Sequence, residues 1–77
     1  MTMTYEEIRD AQIQLEADAD LLKEIPIDKC TERELHIRLA YHMWNDGAPW
    51  EVVHEMQNDW TLTRESMINT LKDGFNL

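Results

Sequence analysis

The chain has 77 residues, 43% of them hydrophobic, and sixteen Asp and Glu against seven Lys and Arg give it a formal net charge of −9 at pH 7. This balance disfavours binding to phosphate backbones and anionic membranes, because such binding depends on Lys and Arg displacing counterions. A single cysteine excludes an intramolecular disulfide and fits a reducing compartment.

Helix signals occur along the whole chain. Two Thr-Glu pairs match the capping box, in which the two side chains satisfy free amide groups at a helix start. They are Thr4 with Glu7 and Thr31 with Glu34. Gly47 follows a polar stretch where a helix can end in a left-handed cap, and Pro49 suits a first helical turn. Gly74 is a second residue at which a helix can end in this way.

These signals predict four helices joined by short connectors. The helices span about 5–25, 32–46, 49–57 and 63–73. Because the connectors are short, consecutive helices must pack on one another. We therefore predict an all-α fold, a compact bundle of four short helices, as a single acidic helical domain over residues 1–77.

The first predicted helix has two apolar faces. At about 100° per residue, the broader one, expected in the core with Tyr5 at its edge, carries Ile8, Ala11, Leu15, Ala19, Leu22 and Ile25. A thinner stripe of Ile13, Ala17 and Leu21 lies on the far side, flanked by Glu6, Asp10, Asp20 and Glu24. An apolar strip framed by carboxylates predicts an association surface. The alternative is that Ile13 is a tolerated surface residue and Leu21 lies at the core edge.

The second predicted helix is apolar over most of its circumference, leaving Glu34, Arg38 and Asn45 clearly outside. Such a helix is surrounded by others or by a second copy of the chain. We expect a homodimer, because a domain of this size buries only about 60% of its unfolded surface. His36 lies on the apolar side of this helix. We predict that it is a core-edge residue with one hydrogen bond, or alternatively a pH-sensitive contact.

All three tryptophans lie between residues 44 and 60. Trp44 falls on the apolar side of the second helix and is expected in the core. Trp50 is expected to project away from Val53 and Met56 and to be the exposed aromatic residue. Trp60 lies in the turn before the last helix, where it either seals that turn or anchors a partner.

Residues for catalysis or metal binding do not converge in the sequence. His36 and His42 are six residues apart, on different sides of a helix, and His54 has no second His four residues later. Ser66 and Cys30 lack a neighbouring base that would activate them. We therefore expect no enzymatic activity, no metal and no cofactor.

The run ELHIRLAYHMWNDGAPWEVVHEMQNDWTLTRESMINTLK, over residues 34–72, resembles a helix-turn-helix unit with a preceding support helix. A long apolar helix ends at Gly47, a short helix and a turn follow, and a Thr-capped helix closes the unit. The layout is similar to the Trp-repressor-like regulators, which implies a helix-turn-helix arrangement of the last three helices. It also implies a dimeric DNA-binding transcriptional regulator, whose last helix carries Arg64, Asn69 and Lys72.

The charge favours a different partner. Residues 1–28 hold eight of the sixteen acidic residues but only two of the seven basic ones. Small size, acidity and the lack of a catalytic constellation are shared in type with phage-encoded antagonists such as anti-CRISPR and DNA-mimic proteins. We expect an interaction module that docks on a basic surface of a nucleic-acid-handling protein. The candidate partner-binding residues are Glu6, Asp10, Ile13, Ala17, Asp20, Glu24, Trp50 and Trp60.

Three other interpretations stay open: a DNA-binding regulator, a self-associating structural component, and acidity that serves only solubility. The sequence shows no signal-peptide pattern and no apolar run of the roughly 20 residues that span a bilayer. The expected location is therefore the cytoplasm.

Overall fold

The chain forms four helices, as its capping and apolar patterns predict. The computed structural model describes residues 4–75. The helices are α1 (Tyr5–Leu22), α2 (Glu32–Asn45), α3 (Trp50–Gln57) and α4 (Arg64–Asn69). A 3-10 turn, Ile27–Lys29, lies between α1 and α2, and a π-helical segment, Thr70–Gly74, continues α4. The described part of the chain contains no strand, so the fold is all-α.

Both predicted capping boxes are present. The Thr4 hydroxyl accepts a hydrogen bond from the Glu7 amide at 3.2 Å, and the Glu7 carboxylate accepts one from the Thr4 amide. Thr31 and Glu34 make the same pair of bonds at 3.2 and 2.8 Å. These four bonds satisfy amide groups that a helix start otherwise leaves free, and they fix where α1 and α2 begin.

The end of α2 confirms the role predicted for Gly47. This glycine has a φ of 95°, a conformation that a Cβ atom disfavours. The amide of Gly47 donates to the Trp44 carbonyl at 3.1 Å, and that of Ala48 donates to the Met43 carbonyl at 3.0 Å. These are the two bonds of a Schellman cap, which closes α2 and turns the chain sharply into α3.

Two predictions are wrong, one about the end of α1 and one about the position of Arg38. α1 ends at Leu22, not near residue 25, and Pro26 disfavours helical geometry in the residue before it. The Ile25 carbonyl instead accepts a hydrogen bond from the Arg38 guanidinium at 2.5 Å. Arg38 was predicted outside the core, but only 9% of it is exposed, because its guanidinium reaches back to cap the α1–α2 connector.

The core consists of two buried clusters that share α2. One contains Ile27, Cys30, Leu35, Leu39, Met67 and Leu71, and the other contains Leu15, Ala40 and Val53. The helices of one chain therefore surround α2, which confirms it as the central helix. Because the other helices of the same chain cover α2, its broad apolar surface does not require a second copy of the chain. The homodimer stays a prediction, and the apolar surface of α2 no longer supports it. None of the helices between residues 4 and 75 is long and apolar enough to cross a membrane.

Candidate protein-interaction face

The side of α1 that points away from the core carries six of the eight candidate binding residues. We call this set the outer stripe: Glu6, Asp10, Ile13, Ala17, Asp20 and Glu24. Successive members are three or four residues apart, so they follow one side of the helix, and Glu24 lies in the turn just past its end. All six side chains are exposed. The structure therefore brings these predicted residues together on one surface.

The apolar middle of the outer stripe is separate from the core. Leu15 and Ala19 form the buried face of α1, at 1% and 6% exposure. Ile13, by contrast, is 56% exposed, and Leu21 beside the stripe is 77% exposed. The alternative placement of Leu21 at the core edge is therefore wrong. α1 has one apolar face turned inward and one apolar strip turned outward.

A groove of about 420 Å³ runs beside the outer stripe, between α1 and α2. It is lined by Ile13, Glu16, Ala17, Ala19, Asp20, Lys23 and Tyr41. Tyr41, half-buried, is the α2 residue in this lining. Tyr41, Glu16 and Lys23 were not among the residues predicted for this surface. Helical spacing alone places Glu16 and Lys23 next to the stripe, whereas Tyr41 comes from another helix.

Most carboxylates among residues 4–75 are not neutralised by an ion pair within this range. Within residues 4–75 the ion pairs are Lys23 with Asp20 and Lys72 with Asp28, both at 2.9 Å. The Lys23–Asp20 side chains are 65% and 69% exposed, so water and salt screen their attraction strongly. In the described part of the chain Glu6, Asp10 and Glu24 make no ion pair. The outer stripe thus presents negative charge at both ends.

Trp50 does not belong to this face, and its predicted exposure is wrong. It is half-buried and packs against the Leu15, Ala40 and Val53 cluster, with its ring centre 6.0 Å from that of Trp44. The reason is helical spacing, because Trp50 and Val53 are three residues apart and share a side of α3. Its indole N–H is buried without a hydrogen-bond acceptor among the described residues.

Trp60 is the exposed tryptophan, at 61%, and it lies away from the outer stripe. Its ring centre is 4.9 Å from that of His36. It lines a second groove that reaches α1 at Ala11, Gln14, Leu15 and Asp18 but at no residue of the outer stripe. Trp60 therefore belongs to a different surface from the outer stripe, although both were predicted to bind the partner.

His36 is buried more deeply than a core-edge residue and makes two contacts where one was expected. It is 1% exposed. Its Nδ1 lies 2.7 Å from the Glu32 carbonyl oxygen, and its Nε2 lies 2.8 Å from the Asp59 carbonyl oxygen. Carbonyl oxygens only accept, so a neutral ring, with one N–H, can donate to one of them, and a doubly protonated ring donates to both. His36 links α2 to the α3–α4 turn.

The three residues of the DNA-binding alternative differ in their availability. The Arg64 guanidinium donates to the carbonyl of Cys30 and, at 2.6 Å, to that of Asp28. The Lys72 ammonium lies 2.9 and 3.1 Å from the two Asp28 carboxylate oxygens. Asn69 is exposed. Two of the three side chains are therefore engaged within the chain, and the helix-turn-helix arrangement stays a prediction.

No group of three His, Cys, Asp or Glu side chains is placed to hold a metal ion in the described residues. Comparisons of the chain with protein-family models, with curated protein sequences and with solved structures gave no significant match. The interpretation of the outer stripe therefore depends on its geometry and charge.

Proposed function

We propose that this protein is a small acidic interaction module that docks the outer stripe on a basic surface of a nucleic-acid-handling protein. The observation that carries the proposal is the exposed pair Ile13 and Ala17 between carboxylates that lack strong ion pairs. The apolar pair supplies surface that loses water at the centre of an interface. The carboxylates around it attract and orient Lys and Arg on the partner.

The proposed mechanism is competition with nucleic acid. Arg and Lys bind carboxylates and phosphates through the same charge-assisted hydrogen bonds. A basic surface covered by the outer stripe therefore cannot hold a phosphate backbone at the same time. The protein would act as an inhibitor or modulator in the manner of phage-encoded anti-CRISPR or DNA-mimic proteins, in the cytoplasm and without catalysis.

The proposal is tested by capture from cell lysate with a matched pair of charge variants. Asp10→Asn with Asp20→Asn removes two charges from the outer stripe, and Glu55→Gln with Glu65→Gln removes two from exposed positions on α3 and α4. We expect the first variant to lose a partner that the second retains, after nuclease treatment of the lysate. The purified partner should release bound nucleic acid when the wild-type protein is added. Equal capture by both variants, or no release, contradicts the proposal.

The DNA-binding alternative is tested by a gel-shift titration at low salt. Lys72 and Arg64 already bind groups of their own chain, which favours the interaction module over this alternative. We expect no saturable binding of duplex DNA. Saturable binding that Asn69→Ala and Lys72→Ala both weaken would replace the proposed function with that of a DNA-binding regulator.

A further inference from the structure

We propose that the outer stripe binds a single α-helix of the partner, with an apolar pair of that helix over Ile13 and Ala17 and a Lys or Arg at each end of the contact. This inference rests on the proposed function and adds the shape and the residue pattern of the segment that is bound.

The spacing of the outer stripe is that of a two-helix seam. Its members are separated by 4, 3, 4, 3 and 4 residues, which is the alternation of the core positions in a heptad repeat. A second helix has the same spacing, so its side chains can meet the five members of the stripe that lie within α1, with Glu24 just beyond the end of that helix. Ala17 at the centre is small and lets the two helix backbones approach closely.

The backbone of α1 favours a helical occupant over an extended one. Within α1 the amide and carbonyl groups are already paired along the helix. The stripe therefore offers an extended segment no backbone partners, and that segment would bury its own amide and carbonyl groups unpaired. A helix satisfies those groups internally and presents only side chains.

The order of charges favours a basic helix over a second copy of this chain. The stripe carries two carboxylates, then two apolar residues, then two carboxylates, so it has the same pattern from either end. An antiparallel copy would place Glu6 against Glu24 and Asp10 against Asp20, and a parallel copy would place each carboxylate against its equivalent. Both arrangements repel. A helix with cations at both ends of an apolar pair complements the stripe in either direction.

The groove beside the stripe provides space for one larger apolar side chain of the bound helix. The groove is lined by four apolar or aromatic residues, Ile13, Ala17, Ala19 and Tyr41, and by the charged residues Glu16, Asp20 and Lys23. Lys23 is the one unfavourable group, because it already pairs with Asp20. A cation on the partner must share or replace this contact, so removal of Lys23 should strengthen binding.

The test uses the full chain and synthetic peptides as probes. The matching peptide is a helix of about three heptads with Leu at its two central seam positions and Lys at the outer ones. A composition-matched control exchanges these positions, with Lys at the centre and Leu outside. Fluorescence polarisation gives the affinities, and NMR shift mapping locates the site. We expect the matching peptide to bind at least about tenfold more tightly than the control, with shifts centred on Ile13, Ala17 and Tyr41.

Matched variants test whether peptide binding depends on the apolar centre of the outer stripe or only on the negative charge of the protein. Ile13→Ser should weaken binding of the matching peptide about tenfold, and Val52→Ser, at a 45% exposed apolar residue of α3, should leave it unchanged. Lys23→Ala should strengthen binding about twofold. Circular dichroism checks that each variant keeps its helices.

The outcomes distinguish this inference from the proposed function. Equal binding of the two peptides, or shifts on another face, overturns the helix inference, even when a stripe-dependent partner is captured from lysate. If the matching peptide binds through the stripe but no captured partner depends on it, the proposed function fails and the helix-binding property remains.

Discussion

At the scale of single residues, His36 connects two parts of the chain that are distant in sequence. Its ring contacts the carbonyls of Glu32 and Asp59, and the ring of Trp60 packs against it at a tilt of 48°. We expect His36→Ala to lower the free energy of unfolding by about 2–4 kcal/mol, since it leaves a cavity and removes the ring contact between α2 and the Asp59 carbonyl. Urea denaturation measures this change. His54→Ala, at an exposed ring, is the control and should change it by less than about 0.5 kcal/mol.

His42 makes the fold less stable in acid. Burial, and then the positive charge of Arg38, hold the pKa of His42 below its usual 6.5. The unfolded chain therefore binds a proton more readily, and the stability that His42 contributes above pH 6.5 is lost as the pH falls below that value. We expect His42→Gln to flatten the pH dependence of unfolding in this window. An unchanged slope in denaturation series would contradict this.

Asp59 also makes the fold less stable in acid, but over a lower pH range than His42. Hydrogen bonds from the Thr61 hydroxyl and amide hold the pKa of Asp59 below its usual 3.8, with a smaller effect of the His36 ring. The stability from these bonds is present above pH 3.8 and is lost as the pH falls further. The two groups therefore act over successive pH ranges.

The tryptophans give a prediction that reverses the expectation from sequence. Trp50 is half-buried and packs against a core cluster, whereas Trp60 is mostly exposed. We expect Trp50→Ala to lower the free energy of unfolding by about 2–3 kcal/mol and Trp60→Ala by about 1 kcal/mol or less. Thermal denaturation of the two variants provides the comparison. Equal destabilisation would show that exposure does not distinguish the two sites.

At the scale of elements, Arg64 fastens α4 to the connector between α1 and α2. One guanidinium donates to the carbonyls of Asp28 and Cys30, which belong to a segment without α-helical hydrogen bonds of its own. Arg64→Ala should lower the free energy of unfolding by about 1.5–3 kcal/mol, because these bonds involve a charged donor.

Arg64→Lys tests whether the forked shape of the guanidinium matters. A lysine ammonium is a compact donor and cannot reproduce the arginine fork, so we expect the variant to recover only part of the loss. Full recovery in the same denaturation experiment would show that charge alone holds the connector.

The helix starts were predictable because their signals are local. A capping box places all its partners within four residues, and Gly47 needs only its own backbone geometry. The burial of Arg38 was not predictable, because it depends on a bond between residues thirteen apart. The end of α1 before residue 25, by contrast, has a local signal in Pro26. The outer stripe was predicted from helical spacing, but the α2 side of its groove required the packing of two helices.

At the scale of the whole molecule, the net charge is −9, and few carboxylates among the described residues form ion pairs. Carboxylates on one small surface repel one another, and salt screens this repulsion within about 10 Å at 0.1 M. We therefore expect the melting temperature to rise by a few degrees between low salt and about 0.15 M sodium chloride. A fall over this range in scanning calorimetry would mean that the two ion pairs outweigh the repulsion.

The separation of the two faces of α1 also affects which amino-acid substitutions the protein can accept. Leu15 and Ala19 maintain the fold, while the residues of the outer stripe make no contribution to the core clusters. Substitutions on the stripe are therefore nearly neutral for folding, so a lineage under selection can explore new partners there without first acquiring extra stability. The same separation makes α1 suitable for laboratory retargeting, since a library restricted to these six positions samples recognition and leaves the scaffold intact.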